Sequence, residues 1–185
     1  MTRSLRRICT IGCVLLALPA LAAAQSVAEP GTWTVTPFLN TSMGIDPDVA
    51  GNSIGVGAAL GYDLTSNLGF EGEFSHLFDV AGDTAGVDWS VTNVSANGVY
   101  HFNVQHVTPY ATFGLGFEHS GVDVQNTRPN VPLSSTEMAF NFGGGVKYLA
   151  SRTIIIRGDL RRFEANDTAP DFWRLYGGVT FIMGR

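Results

Sequence analysis

Cysteine, charge and long apolar runs are all scarce in this chain, and each shortage removes a class of protein. The two cysteines, Cys9 and Cys13, both lie in the first two dozen residues. That stretch reads as a secretory leader: Arg3, Arg6 and Arg7 form a positive start, Ile8 to Leu21 an apolar middle, and Ala22-Ala23-Ala24 a small-residue cleavage site before Gln25. Residues 1–24 are therefore expected to be a signal peptide and 25–185 the mature domain, without thiol or disulfide. A lipid anchor would need a cysteine after the apolar stretch, whereas Cys13 stands near its beginning, so none is expected. The apolar run is shorter than the ~20 residues of a spanning helix, and no later run is long enough, which excludes a helical membrane protein. Basic charge is sparse as well: the formal net charge of −5 includes the three leader arginines, so the mature chain stands at −8. A nucleic-acid surface is not expected from that balance.

What remains is a rhythm. Segments of about ten residues with period-two hydropathy are joined by connections that are alternately long and very short, the pattern of a transmembrane β-barrel. The long connections are Ser42–Gly51, Phe78–Val87, His119–Ser134 and Glu164–Asp171; the short ones are Thr65-Ser66-Asn67, Asn103–His106 and Ala150-Ser151-Arg152. Strands crossing a membrane alternate between an outer side that tolerates long loops and a periplasmic side served by tight turns. The fold expected is all-β, a closed antiparallel up-and-down transmembrane β-barrel of eight strands.

The two faces can be read strand by strand. Ile54, Val56, Ala58, Leu60 and Tyr62 alternate with Gly55, Gly57, Ala59, Gly61 and Asp63, and Leu68, Phe70 and Phe74 with Gly69, Glu71, Glu73 and Ser75. Val94, Ala96, Tyr100 and Phe102 oppose Asn93, Ser95, Asn97 and His101; Phe113, Leu115 and Phe117 oppose Tyr110, Thr112, Gly114, Gly116 and Glu118. In the sixth strand Met138, Phe140, Phe142, Val146 and Tyr148 oppose Asn141, Gly143, Gly145 and Lys147. Ile154, Ile156 and Leu160 then oppose Arg157, Asp159 and Arg161, and Leu175, Val179 and Phe181 oppose Arg174, Tyr176, Gly178 and Thr180. The first strand, Trp33 to Asn40, is weaker; Pro37 falls inside it, so a bulge or a late start is expected there. Ile155 and Ile182 fall on the polar face.

A soluble lipocalin-like carrier would bury the apolar face, a membrane barrel the polar one. An eight-strand interior has room for side chains and little more, and the many rings oppose glycine-rich faces, so small residues are expected inside and rings outside. Aromatic residues near strand ends, Trp33, Tyr62, Phe102, Tyr148, Phe163 and Trp173, are then expected to form interfacial girdles. Glu71, Glu73, Lys147, Arg157, Asp159 and Arg161 are expected to point inward and, because buried charges persist only when paired, to form an ionic network that plugs the lumen.

Several segments carry more. The strand end Asn97-Gly98-Val99-Tyr100-His101-Phe102, Thr108-Pro109-Tyr110 with Gly114-Leu115-Gly116-Phe117, Asn141 to Tyr148, Arg157-Gly158-Asp159-Leu160-Arg161 and the closing Gly177 to Phe181 resemble the small OmpA-type outer-membrane β-barrel family, which includes OmpX- and OmpW-like proteins. The resemblance covers the whole mature chain and implies a bacterial outer-membrane location. It also implies a role as membrane anchor, adhesin, evasion factor or minor pore, without choosing among them. The partners expected are outer-membrane lipid and lipopolysaccharide, the barrel-assembly machinery and an extracellular ligand of the loops, with no nucleic acid and a monomeric state. The sequence ends at Arg185 without the family's terminal aromatic residue, leaving Phe181 for the assembly signal, and no peptidoglycan-binding domain follows, so cell-wall tethering is not expected.

Other motifs are weak. Gly51-Asn52-Ser53-Ile54-Gly55 lacks the strand-turn-helix of a nucleophile elbow, and Gly55-Val56-Gly57 lacks the helix and acid of a dinucleotide site. Asn93-Val94-Ser95 and Asn166-Asp167-Thr168 are idle sequons in a bacterial protein. His76, His101, His106 and His119 have no ligand spacing and are expected at interfaces or turns. Asp46 with Asp48, and Asp79 with Asp83, are at most weak Ca²⁺ ligands. A lipid acyl hydrolase would use His119, Ser120 and Glu118, but neighbours on a strand point to opposite faces. Transport of an apolar solute would need an apolar lumen, where this one reads as ionic. No catalytic residue, cofactor or metal is expected, and the protein is read as a non-enzymatic barrel with a structural or surface-interaction role; a minor pore, an acyl hydrolase and a lipocalin-like carrier are the alternatives.

Overall fold

The computed structural model describes residues 27–43, 53–78, 87–103, 107–124, 133–165 and 171–184. The signal segment, His106, the acidic pairs Asp46/Asp48 and Asp79/Asp83, and the centres of all four long connections lie outside them. Eight strands run β1 (Thr32–Met43), β2 (Ile54–Asp63), β3 (Leu68–Phe78), β4 (Val87–His101), β5 (Val107–Val124), β6 (Leu133–Leu149), β7 (Ile154–Ala165) and β8 (Phe172–Gly184). Each pairs antiparallel with its sequence neighbours, and β1 closes on β8, so no sheet edge is left open.

The period-two pattern places an apolar set outside and a polar set inside. Phe70, Phe113, Leu115, Phe117 and Ile156 are all more than half exposed, while Glu71, Glu73, Asp159, Arg157 and Arg161 are 5% exposed or less. A soluble barrel shows the reverse, so the lipocalin-like reading does not hold. No helix among the described residues is long and apolar enough to cross a membrane, and the apolar band is carried by strands.

Three details differ from the sequence reading. First, β1 runs straight through Pro37, which faces outward and is paired with Ala58 of β2. Its missing N–H interrupts the β1–β8 pairing at Thr36 and Pro37, yet Phe38 rejoins Gly178 in the same register; the shift in that pairing lies instead between Trp33 and Thr34. The proline thus costs a ladder bond and not a register. Second, β5 and β6 extend past His119 and Ser134, pairing up to Val122 with Leu133, so the third long connection is shorter than its polar sequence suggests. Third, rings are not confined to the outside. Phe38, Tyr110, Phe163, Phe172 and Tyr176 are all buried at 4% exposure or less.

Ahead of β1, Val27 and Ala28 are buried, and Gly31 adopts φ +80° while its N–H donates to the Asp63 carbonyl at 2.7 Å. That left-handed turn suits glycine and little else.

Candidate functional site

Strands β3, β5, β7 and β8 each turn a polar row to the axis of the barrel, and in the middle of it three carboxylates meet three guanidinium groups. Arg157 takes Glu71 end-on, through Nη1 to Oε2 and through Nη2 to Oε1 at 2.9 Å, while its Nε donates to the Tyr110 hydroxyl at 2.9 Å. Arg161 donates to Asp159 Oδ2 from Nη2 at 2.8 Å and Nε at 3.0 Å, to Glu73 Oε2 at 3.0 Å, to Glu71 Oε1 at 3.3 Å and to the Tyr176 hydroxyl at 2.9 Å. Arg174 bonds Glu73 Oε1 and donates to Ser75 Oγ at 2.9 Å. The Tyr110 hydroxyl donates to Asp159 Oδ2. Charge is balanced within the group, and planar forks on carboxylates give the strongest hydrogen-bonded pairs available to side chains.

Aromatic faces complete the desolvated setting. Arg157 lies 5.0 Å from the centre of the Tyr110 ring and 5.1 Å from that of Tyr176, and Arg174 lies 4.4 Å from that of Phe163. Such cation–π contacts supply attraction where water is missing.

Of the six lumen residues named from the sequence, Glu71, Glu73, Arg157, Asp159 and Arg161 converge in this cluster. Lys147, the only lysine of the chain, sits apart toward the short-turn end, with Nζ 2.8 Å from His101 Nε2 and 5.3 Å from the centre of the Tyr110 ring. His101 is therefore inside the lumen, at 1% exposure, and not at an interface or turn; the parity it shares with Asn93, Ser95 and Asn97 puts it there. Arg174, Tyr110, Tyr176 and Ser75 also belong to the network, beyond the charged positions of β3, β6 and β7 that the sequence points to. Their signal was parity alone.

The aromatic positions divide. Trp33 and Tyr62 face each other across β1 and β2 at the short-turn rim, ring centres 4.8 Å apart, and Phe102 and Tyr148 are exposed at the same end. Trp173 is exposed at the long-loop rim, with the Arg162 guanidinium 6.0 Å from its ring centre. Phe163 is not part of a girdle. It points inward at 1% exposure and stacks on Phe172 at 5.2 Å, because it has the parity of Arg157, Asp159 and Arg161. With Leu77, Val91 and the flanking Trp89 these two rings make an apolar layer beyond the charges, on the β3, β4, β7 and β8 side of the lumen toward the long loops.

Phe38 stacks on Tyr176 at 4.6 Å inside the barrel. A Cβ at Gly57 would run into both the Phe38 ring and the backbone carbonyl oxygen of Phe74. Gly57→Val should lower unfolding stability in urea by about 1–3 kcal/mol by overpacking, and a Phe38→Ala background should recover the part owed to the ring, leaving the part owed to the Phe74 carbonyl. Additive effects in the double mutant would mean that the ring is not the cause.

The hydrolase constellation is not assembled. Glu118 and Ser120 face inward, Ser120 Oγ accepts a bond from Trp89 Nε1 at 2.6 Å, and His119 is outside, 2.8 Å from Thr136 Oγ1. Ser53 of the G-x-S-x-G segment is tied to Ser42 Oγ at 2.6 Å.

A closed eight-strand sheet that shows apolar side chains outward and holds its ions within is a membrane-embedded β-barrel. Residues 13–181 match the family model of the outer membrane protein beta-barrel domain, and the chain belongs to that family, whose place is the bacterial outer membrane. No curated protein sequence matches it. Among solved structures it is similar to Neisserial surface protein A, at 17% identity and TM-score 0.66, covering 82% of this chain and 96% of that one. The N-terminal β-barrel domain of Pseudomonas aeruginosa OprF is similar at 18% identity and TM-score 0.62, with 83% and 98% covered. Ail, the attachment invasion locus protein of Yersinia pestis, follows at 16% identity and TM-score 0.58, with 82% and 99% covered. At these identities the likeness is one of fold.

Proposed function

We propose that this protein is a non-enzymatic outer-membrane barrel with a sealed lumen, which supports the membrane as a rigid wall and presents its long loops for recognition at the cell surface. The observation that carries the reading is the charge-balanced network around Arg161, whose side chain is 0% exposed, lying beneath the apolar layer of Phe163 and Phe172. Ions would have to break buried pairs and then cross an apolar constriction. The exposed band of Phe, Leu and Val takes the acyl chains of outer-membrane lipid and lipopolysaccharide, the short-turn rim faces the periplasm, and the chain, exported by its leader and inserted by the barrel-assembly machinery, works as a monomer. Names that speak of a surface protein and of attachment, borne by two of the similar barrels, support the surface role.

The test is conductance in planar lipid bilayers. The purified barrel should give no stable current steps, and Arg157→Ala together with Arg161→Ala should raise leak if the barrel still inserts. Regular ohmic steps from the unaltered protein would reject the sealed lumen and make it a minor pore. Shortening 125–132 should abolish adhesion of cells that display the barrel while leaving its insertion intact.

A further inference from the structure

Glu71, Glu73 and Asp159 each bond a guanidinium, whereas Glu118 bonds none. Both its carboxylate oxygens lack a hydrogen-bond partner although the residue is only 1% exposed. β4 sets Asn93 directly opposite it on one side and β6 sets Glu137 opposite it on the other, all three on inward-facing positions. Asn93 is 3% exposed, and its Oδ1 is likewise without a partner. Cross-strand neighbours hold their Cβ atoms about 4.5–5.5 Å apart, so the three side chains form one short row of oxygens. Like charges directly opposite each other oppose strand pairing, and a buried carboxylate without compensation is strongly unfavourable. Arg174 gives its two terminal nitrogens to Ser75 and Glu73, and its buried Nε has no hydrogen-bond partner, so it makes no bond to Glu118.

We propose that Glu118, Glu137 and Asn93 Oδ1 hold a hard divalent cation of the Ca²⁺ or Mg²⁺ class in the outer part of the lumen. Carboxylate and amide oxygens are the donors such ions prefer, with water filling the remaining positions. Among the described residues no three His, Cys, Asp or Glu side chains gather around a point; this site completes itself with an amide. The ion ties together β4, β5 and β6, at 15, 18 and 17 residues the longest strands of the barrel, at the base of the loops they carry.

Trp89, bonded to Ser120 two residues along from Glu118, provides the reporter. The full-length barrel, purified in detergent and stripped with a chelator, is titrated with Ca²⁺ while thermal unfolding is followed, and with terbium while tryptophan-sensitised luminescence is read. The unaltered protein should show a saturable rise in unfolding temperature and a terbium signal that Ca²⁺ competes away. Glu118→Gln should lose both and be at least as stable as the parent under chelator, whereas Asp46→Asn with Asp48→Asn, and Asp79→Asn with Asp83→Asn, should keep both. Asn93→Asp should bind more tightly, and it carries the test if Glu118→Gln does not fold. The proposal is overturned if Glu118→Gln responds like the parent, which puts the ion in the loops, or if Asn93→Asp leaves the affinity unchanged. It is overturned equally if the parent responds to acid and not to the cation, which makes Glu118 a neutral carboxyl group.

Discussion

Arg161→Ala should lower the unfolding free energy of the barrel, measured by urea titration in lipid vesicles, by about 3–5 kcal/mol, the usual cost of removing one partner from a buried ionic cluster. The loss is large because of what stays behind. Glu71, Glu73 and Asp159 would each lose a donor in a space where water cannot replace it. Arg161→Lys should recover only part of it, since an ammonium group cannot serve Glu73, Asp159 and the Tyr176 hydroxyl at once as the planar fork does. The adjacent Arg162 is the control. It pairs with Glu164 at 3.7 Å and Asp171 at 3.0 Å on the outside, with a fifth of its side chain exposed, and its replacement by alanine should cost about 0–1 kcal/mol. Equal effects at these two neighbours would mean that the lumen is wet and the network unimportant to stability.

The second large effect is on the outer face. Phe113 is 57% exposed at the centre of the outward row of β5 that runs from Pro109 to Phe117. In water, Phe113→Arg would be harmless or helpful. In the hydrocarbon of a bilayer it should destabilise folding into vesicles by about 2–4 kcal/mol, the range for a cation near the midplane of a barrel wall, while His119→Arg, beyond the apolar row, should cost about 0–1 kcal/mol. A tolerated Phe113→Arg would contradict the inversion of faces on which the membrane reading stands.

How much of this was legible follows from the physics of strands. Alternation is a local property, so the eight strands, their faces and the inward set of Glu71, Glu73, Arg157, Asp159 and Arg161 can be read from neighbours two residues apart. Who meets whom cannot. Arg157 and Glu71 stand 86 positions apart in sequence, and their contact depends on closure and stagger of the whole barrel. Arg174 carries the same parity signal as the others, yet nothing local shows that it reaches Glu73, 101 positions away. Phe163 shows the opposite error, since a ring near a strand end suggests a girdle, but the parity of its own strand sends it inward to stack on Phe172. Phe38 was hidden in the weakest strand, and the small residues that make room for it, Gly57 and Gly178, lie on two other strands. The extension of β5 and β6 was masked by serine, threonine and glycine, which spell a loop by composition but pair as strands where the barrel rises above its apolar band.

The most direct test of the central claim is electrophoretic mobility of the protein from the membrane fraction, in cold detergent and after boiling. A closed barrel with a buried ionic interior should stay compact in the cold and change mobility only when boiled. Identical mobility under the two conditions, with the protein in the soluble periplasmic extract, would contradict it and return the fold to an apolar-lined carrier.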